Sequence, residues 1–394
     1  MTDIDYNPYD PEIDADPYPT YRRLRDEAPL YYNEQYDFWA VSRYEDCERH
    51  LRDARRFISG KGGILEIIKA DIDMPSGTLI FEDPPAHSVH RSLLARVFTP
   101  RRVGELEPRI RAFCERCLDP HVGAGELDIV ADLGADMPMR VIGMLFGIPE
   151  ADQVAIRDGS DARLRTEDGK PMEVDDHPTF GTEAFAEYID WRIDHPSDDL
   201  MSDLLRAEFE DEHGETRRLT RDEALLYTTV VAGAGNETTT RLIGWAGKVL
   251  AEHPEQRREL VEDPSLIPQA IEELLRFESP GPHIGRYLPE DVEIHGRTVP
   301  AGSAMLMVVA AGNRDDRRYD DPDRFDIHRT GPHLAFGSGI HYCLGAALAR
   351  LQGRVAIEEL LKRFPEWNVE YERIRLAPTS TVRGWESLPV TVAA

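Results

Sequence analysis

Long apolar runs are missing from this chain of 394 residues: no window of 18 apolar residues occurs, and the most apolar central stretch, ALLYTTVVAGAG, is short and carries Gly and Thr. A membrane-spanning helix is excluded on length. Cysteine is scarce, with only Cys47, Cys114, Cys117 and Cys343. The first thirty residues are acidic and Pro-rich, with neither a basic start nor a 7 to 15 residue apolar stretch. No signal peptide is expected, so the thiols read as reduced in a cytoplasm rather than as a disulfide framework. Basic residues are outnumbered, 46 Lys plus Arg against 74 Asp plus Glu, for a formal charge of −28. That deficit disfavours nucleic acid and anionic bilayer surfaces as partners, both of which rest on clustered cations. Neither an internal repeat nor a Gly/Ser linker divides the chain, so one domain over residues 1–394 is expected.

Cys114-Glu-Arg-Cys117 invites a metal or redox reading, with His121 as a third ligand. No second Cys/His pair stands at zinc-finger spacing, and Leu118 rather than His follows Cys117. Two small thiols three residues apart on one helix face is the expectation.

Helix outweighs strand. Residues to about 278 read largely as amphipathic helices, after one β-like run in DFWAV; 279–330 alternate apolar residues with Gly and Pro, and LAPTSTVRGWESLPVTV reads as a hairpin near the end. One helix is delimited at both ends. Thr220-Arg-Asp-Glu223 is a capping box, and the helix it opens can run to Glu252 before His253-Pro254, about 32 residues or roughly 48 Å. Its centre, Val231-Ala-Gly-Ala-Gly-Asn-Glu-Thr-Thr-Thr240, holds two Gly and three β-branched Thr. A weakened centre in the longest helix has a reason, either close helix packing against the Gly residues or a function. A second helix follows Cys343, with Leu344, Leu348, Leu351 and Val355 as its buried stripe and Pro365 as its stop.

The most informative segment is Phe336-Gly-Ser-Gly-Ile-His-Tyr-Cys-Leu-Gly-Ala-Ala-Leu-Ala-Arg350. A Gly-bearing turn delivers one Cys to the first turn of a buried helix, where free N–H groups and the positive helix end are expected to lower the thiol pKa. Gly337, Gly339 and Gly345 let the backbone approach a bulky flat group. The segment resembles the haem-binding loop of the cytochrome P450 family, Phe-Gly-x-Gly-x-His/Arg-x-Cys-x-Gly, at every position.

That resemblance implies a mainly α fold with small β-sheets and a haem b buried between the long central helix and the Cys-loop helix. It makes Cys343 the axial iron ligand, whose electron donation favours O–O cleavage. Phe336 would pack beside the sulfur, while His341, His87 and Arg91 of His87-Ser-Val-His-Arg91, and Arg286 would hold the haem propionates. Glu273-Leu-Leu-Arg276 matches the family's Glu-x-x-Arg motif, to be completed by Arg324 or Arg329. Ala234-Gly-Asn-Glu-Thr-Thr239 is similar to its oxygen-activation motif. By that likeness Gly235 leaves room for dioxygen, Glu237 relays protons inward, and the Thr238 hydroxyl positions the proton that breaks the O–O bond. Thr239 and Thr240 are expected to pack or face solvent.

The implied activity is a monooxygenase that inserts one oxygen atom into a hydrophobic small molecule. The alternative is a haem-thiolate protein that only senses or carries a ligand. With no flavin or iron–sulfur domain in the sequence, electrons from NAD(P)H are expected to arrive through a reductase and a ferredoxin. Arg91, Arg96, Arg101, Arg102, Arg109 and Arg111 stand against only Glu105 and Glu107, and with Arg350, Arg354, Lys362 and Arg363 they suggest its docking face. Residues 60–81, with Ile64, Leu65, Ile67, Ile68, Ile72, Met74, Leu79 and Ile80, correspond to the loop over the family's substrate pocket. Pro282, His283, Ile284, Thr381 and Val382 fall on other lining segments, and this aliphatic set suggests a branched fatty acid, terpenoid or steroid.

Overall fold

The computed structural model describes residues 4–72, 74–75, 77–96, 98–167, 169–174 and 181–393. Its helices include α1 (Ala86–Ala95), α2 (Glu107–Leu118), α3 (Asp136–Phe146), α4 (Glu150–Leu164), α5 (Arg221–Glu252), α6 (Ile267–Phe277) and α7 (Ala346–Arg363). None of the described helices is long and apolar enough to cross a membrane.

The long helix α5 begins and ends where its local signals place it. The Thr220 hydroxyl accepts from the Glu223 N–H, and the Glu223 carboxylate accepts from the Thr220 N–H at 2.8 Å. His253 and Pro254 close it, because a residue before proline avoids the helical region. Helical geometry continues through the Gly- and Thr-rich centre rather than breaking there. Thr238, Thr239 and Thr240 each return a hydroxyl hydrogen bond to the carbonyl four residues earlier, which gives these β-branched residues an internal partner. Leu242, Ile243, Trp245, Val249 and Leu250 of α5 then join α3, α6 and α7 in the largest buried core.

The main sheet holds β1 (Leu30–Asn33), β2 (Phe38–Val41), β3 (Ile284–Tyr287) and β4 (Ala304–Met307), in the order β1-β2-β4-β3. The β2–β4 pair is parallel, with Trp39 opposite Met305, and β3–β4 is antiparallel, with Arg286 opposite Met305. The strand-like texture expected throughout 279–330 ends with β4: a short helix, Val309–Gly312, and turns follow. The terminal hairpin divides between two sheets, Trp385–Ser387 pairing with Arg375–Leu376 while Pro389–Val392 joins Glu126–Asp128.

A buried ion-pair network ties α6 to the segment before the Cys loop. Arg276 donates to both Glu273 oxygens at 2.6 and 2.8 Å and to the carbonyls of Asn313 and Pro322. Arg329 is the completing residue, its Nε 3.1 Å from Glu273 Oε1. Arg324 supplies only its carbonyl and turns its exposed guanidinium toward Asp326.

Cys114 and Cys117 lie buried in α2 as small apolar side chains. Burial holds both thiols above their ordinary pKa, and the described residues contain no cluster of three or more His, Cys, Asp or Glu able to hold a metal.

Candidate active site

The Cys loop turns tightly because two of its glycines are left-handed. Gly337 has φ 69° and Gly339 φ 75°, and a Cβ on Gly339 would lie 2.5 Å from the Leu51 carbonyl oxygen. A side chain there is excluded twice over. The Cys343 N–H donates to the Phe336 carbonyl at 2.9 Å, which closes the loop. Helix α7 starts at Ala346 with Gly345 as its N-cap, so Cys343 precedes the helix instead of occupying its first turn.

The free Cys343 thiol differs from the expectation of a lowered pKa. Burial dominates and pushes it up, against the opposing Gly345 N–H and the charges of Arg91 and Arg350. A single helix end and two nearby cations do not repay the desolvation of a thiolate.

Beside the loop, the Arg350 guanidinium lies 4.5 Å from the centre of the Phe336 ring. Glu272 fixes it there with bonds of 2.7 and 2.9 Å, and His333 stands 3.3 Å from the same carboxylate. Although burial opposes it, hydrogen bonding to His333 and Arg350 holds Glu272 down at about 2 from its ordinary 4.5. A depressed carboxylate stabilises the fold above its unfolded pKa and loses that contribution as pH falls toward its folded pKa. Acid unfolding of the wild type is therefore expected to include a component between pH 4.5 and 2 that Glu272→Gln removes, measurable by circular dichroism.

Four nitrogen-bearing side chains converge above the loop. His87 of α1 and His341 face each other with ring centres 4.2 Å apart, and both Nε2 atoms are buried without a partner among the described residues. Arg286, on β3, is 4% exposed and donates to its neighbour's carbonyl, that of Gly285. Arg91 donates to the carbonyl of Tyr342. Their mutual effect is repulsive: burial first, then Arg286, His87 and Arg91, pull His341 down to about 3. Burial likewise lowers Arg286 to about 10, opposed by Asp83. Asp83 is itself engaged by the Ser59 and Gly60 N–H groups at 2.9 and 2.7 Å. Buried cations without a bonded carboxylate are costly, and the arrangement suits a ligand carrying more than one negative charge.

The weakened centre of α5 holds the other candidate residues. The Thr238 hydroxyl donates to the Ala234 carbonyl at 2.8 Å. Glu237 is 3% exposed; one oxygen accepts from Arg241 at 2.7 Å and the other, Oε2, has no partner among the described residues. Burial raises its pKa, with Arg241 opposing. A Cβ on Gly235 would lie 2.8 Å from Ile142 Cδ1, so its missing side chain serves the close packing of α5 on α3, whereas Gly233 opens onto free space. Thr239 and Thr240 are buried, as packing residues would be.

The aliphatic side chains of residues 60–81 divide between core and surface. Leu65 and Ile68 belong to a core built on Tyr6, Tyr9 and Tyr21, Leu79 joins the main core, and Ile80 is exposed. The sequence reading missed Glu66, a buried carboxylate in the short helix Leu65–Ala70 that accepts from the Met172 N–H at 3.2 Å. Its charge reaches His283, whose Nδ1 is buried without a partner among the described residues. This aliphatic segment therefore carries a buried carboxylate whose charge acts on His283.

Charge on the Cys343 side is more balanced than the linear sequence suggests. Arg111 meets Glu107, Glu358 and Glu359, Arg354 meets Glu107 and Glu358, and Arg363 meets Glu359 and Asp119. Glu358 and Glu359 come from α7, far along the chain from Arg111. Arg101 and Arg102 keep exposed pairs at 3.4 and 3.6 Å, and Arg96 and Arg109 are exposed.

Comparison with known proteins supplies the context. The family model described as "Cytochrome P450" matches residues 183–378. The chain is 37% identical to nocardicin C N-oxygenase of Nocardia uniformis subsp. tsuyamanensis, over 99% of both chains. It is 36% identical to cytochrome P450 monooxygenase PikC of Streptomyces venezuelae, over 95% of this chain and 91% of that protein. Among solved structures, a mutant of P450 EryK in complex with erythromycin B aligns with a TM-score of 0.86 at 32% identity, covering 96% of this chain and 97% of that one.

Proposed function

Since the chain belongs to the cytochrome P450 family of haem monooxygenases, we propose that Cys343 ligates its haem iron and that His87, Arg91, Arg286 and His341 hold the propionates. The observation that carries this reading is the pair of facing imidazoles, His87 and His341, whose buried Nε2 atoms lack partners among the described residues, beside the half-buried free thiol of Cys343. Two carboxylates would satisfy the partnerless Nε2 atoms of His87 and His341 and neutralise Arg286 and Arg91, while iron would favour the thiolate that burial otherwise disfavours. The residues therefore fit the group. When bound, the haem supplies the iron at which dioxygen is activated and one oxygen atom is passed to substrate.

The protein's own part is to hold, orient and protonate. Phe336, pinned by Arg350, would pack beside the sulfur. Gly337 and Gly339 shape the Cys loop that would hold the haem, and Gly345, with free space where its side chain would be, leaves the N–H directed at the sulfur unobstructed. Gly235 lets α5 sit close to α3, which sets the height of the helix over the site. Glu237 holds a proton at Oε2, the oxygen that Arg241 leaves free. Thr238, whose hydroxyl rests on the Ala234 carbonyl, rotates to pass that proton toward the reacting oxygen.

Thr238→Ala is expected to keep consuming NAD(P)H while product per cofactor falls by about 10²-fold, the lower range for a positioned proton donor. Unchanged coupling would overturn the assignment.

The substrate we infer is a predominantly hydrophobic small molecule of branched fatty acid, terpenoid or steroid size, with a polar end near Glu66 and His283. Electrons are proposed to come in the cytoplasm from NAD(P)H through a reductase and an acidic ferredoxin, docking where Arg96, Arg101, Arg102 and Arg109 stay exposed. Reversing Arg102 and Arg109 to Glu should slow reduction by about tenfold at low salt and far less at high salt, since exposed charges act mainly on encounter. Equal rates measured by stopped flow would exclude this face.

A further inference from the structure

The buried carboxylate Glu237 needs a source of protons, and the elements packed around it offer one. Asp161, near the end of α4, is half-buried and keeps access to solvent. Its Oδ1 lies 3.5 Å from Asn236 Nδ2, the residue before Glu237, at the outer limit of a hydrogen bond. Arg241 pairs with Glu237 at 2.7 Å and, of the neighbouring charges, acts most strongly on Asp161, so one guanidinium influences both carboxylates. Three buried polar atoms of this group lack partners among the described residues: Asn236 Oδ1, Glu237 Oε2 and Arg241 Nε. Two acceptors and a donor left over in one polar cluster match what buried water requires, since such groups are almost always satisfied in native proteins.

We propose that Asp161 is the proton-entry residue of the site: it takes a proton from solvent at its carboxylate and returns it, through water held by Asn236 and Arg241, to Glu237 Oε2. Each proton that Glu237 gives up is replaced by one from Asp161, which is reloaded from bulk water, so no other reactant is consumed. Asp161 acts through Glu237 and touches neither haem nor substrate. The inference rests on the proton-holding role proposed for Glu237.

The electrostatic surroundings agree. Burial raises Asp161 above its ordinary 3.8, opposed by Arg241, Arg157 and Arg165, with Asp158 reinforcing the rise. Burial also raises Glu237, on which Arg241, Asp161 and Arg165 act. Burial thus shifts both carboxyls in the same direction, toward the protonated form. Arg165 is engaged by Glu386 and, through its backbone, by Thr379, so α4 is tethered over the site.

The test uses the haem-loaded protein with its electron donor. Asp161→Asn should preserve substrate-induced spectral binding and the rate of first reduction. Product per NAD(P)H should drop about tenfold, less than for loss of the donor itself, with an increased solvent deuterium isotope effect on turnover. Asp161→Glu should restore coupling. Independently of turnover, an infrared carboxyl band persisting above pH 3.8 should vanish in Asp161→Asn. Wild-type coupling and isotope effect in a folded Asp161→Asn protein would overturn the proposal, as would uncoupling with an unchanged isotope effect, which is the mark of a merely structural role. If Glu237→Gln is uncoupled and Asp161→Asn is not, only the entry residue is wrong. If neither is uncoupled, the role given to Glu237 fails first.

Discussion

Replacing Cys343 with Ser is expected to reduce monooxygenase turnover to background while leaving the fold intact. The serine hydroxyl is nearly the same size, and the backbone bond from residue 343 to the Phe336 carbonyl does not involve the side chain. A neutral hydroxyl is a far poorer electron donor to iron than a thiolate, and the thiolate push is what favours O–O cleavage. The His87, Arg91, Arg286 and His341 cradle remains, so the variant should still take up haem. Haem content by pyridine haemochrome and product formation by chromatography separate the two effects. Retained turnover at wild-type haem content would remove Cys343 from the chemistry.

The second large effect falls on stability. Glu273→Ala leaves Arg276, 3% exposed, with no carboxylate in its buried position, and removes the acceptor of Arg329 and of the Asp326 N–H as well. Breaking a buried ion pair from one side costs about 3–5 kcal/mol. That is a large fraction of the roughly 5–15 kcal/mol that stabilises a typical protein. The urea midpoint should fall steeply at constant m-value, with haem lost earlier in the titration. Arg329→Ala should cost less, and Arg324→Ala about 0–1 kcal/mol as expected of an exposed pair. Equal effects of the two arginines would contradict the network described.

How much of this was legible in the sequence depends on the range of the interaction. Both ends of α5 were readable because a capping box and a His-Pro pair are local signals. The Cys loop was readable because its glycines answer local backbone demands at Gly337 and Gly339. What the sequence could not supply were partners from distant segments. Arg324 and Arg329 are equivalent on paper, and only folding places the second against Glu273. The basic stretch at 91–111 showed only Glu105 and Glu107 against its arginines until Glu358 and Glu359 arrived from α7. Glu66 was hidden in an aliphatic run, and Asp161, among Arg157, Asp158 and Arg163, resembled any solvated helix face. Gly235 showed a real constraint, but its direction, toward Ile142, was set by packing. The Cys343 thiol illustrates the same limit: its helix end was visible, but the burial that outweighs it was not.

The central claim is that Cys343 serves a haem as a thiolate within this cradle. The most direct measurement is the difference spectrum of the dithionite-reduced, haem-loaded wild type with carbon monoxide. The account predicts the strongly red-shifted Soret band that only thiolate ligation produces; a band at the unshifted position of imidazole-ligated haem, in protein that has kept its fold, would contradict it.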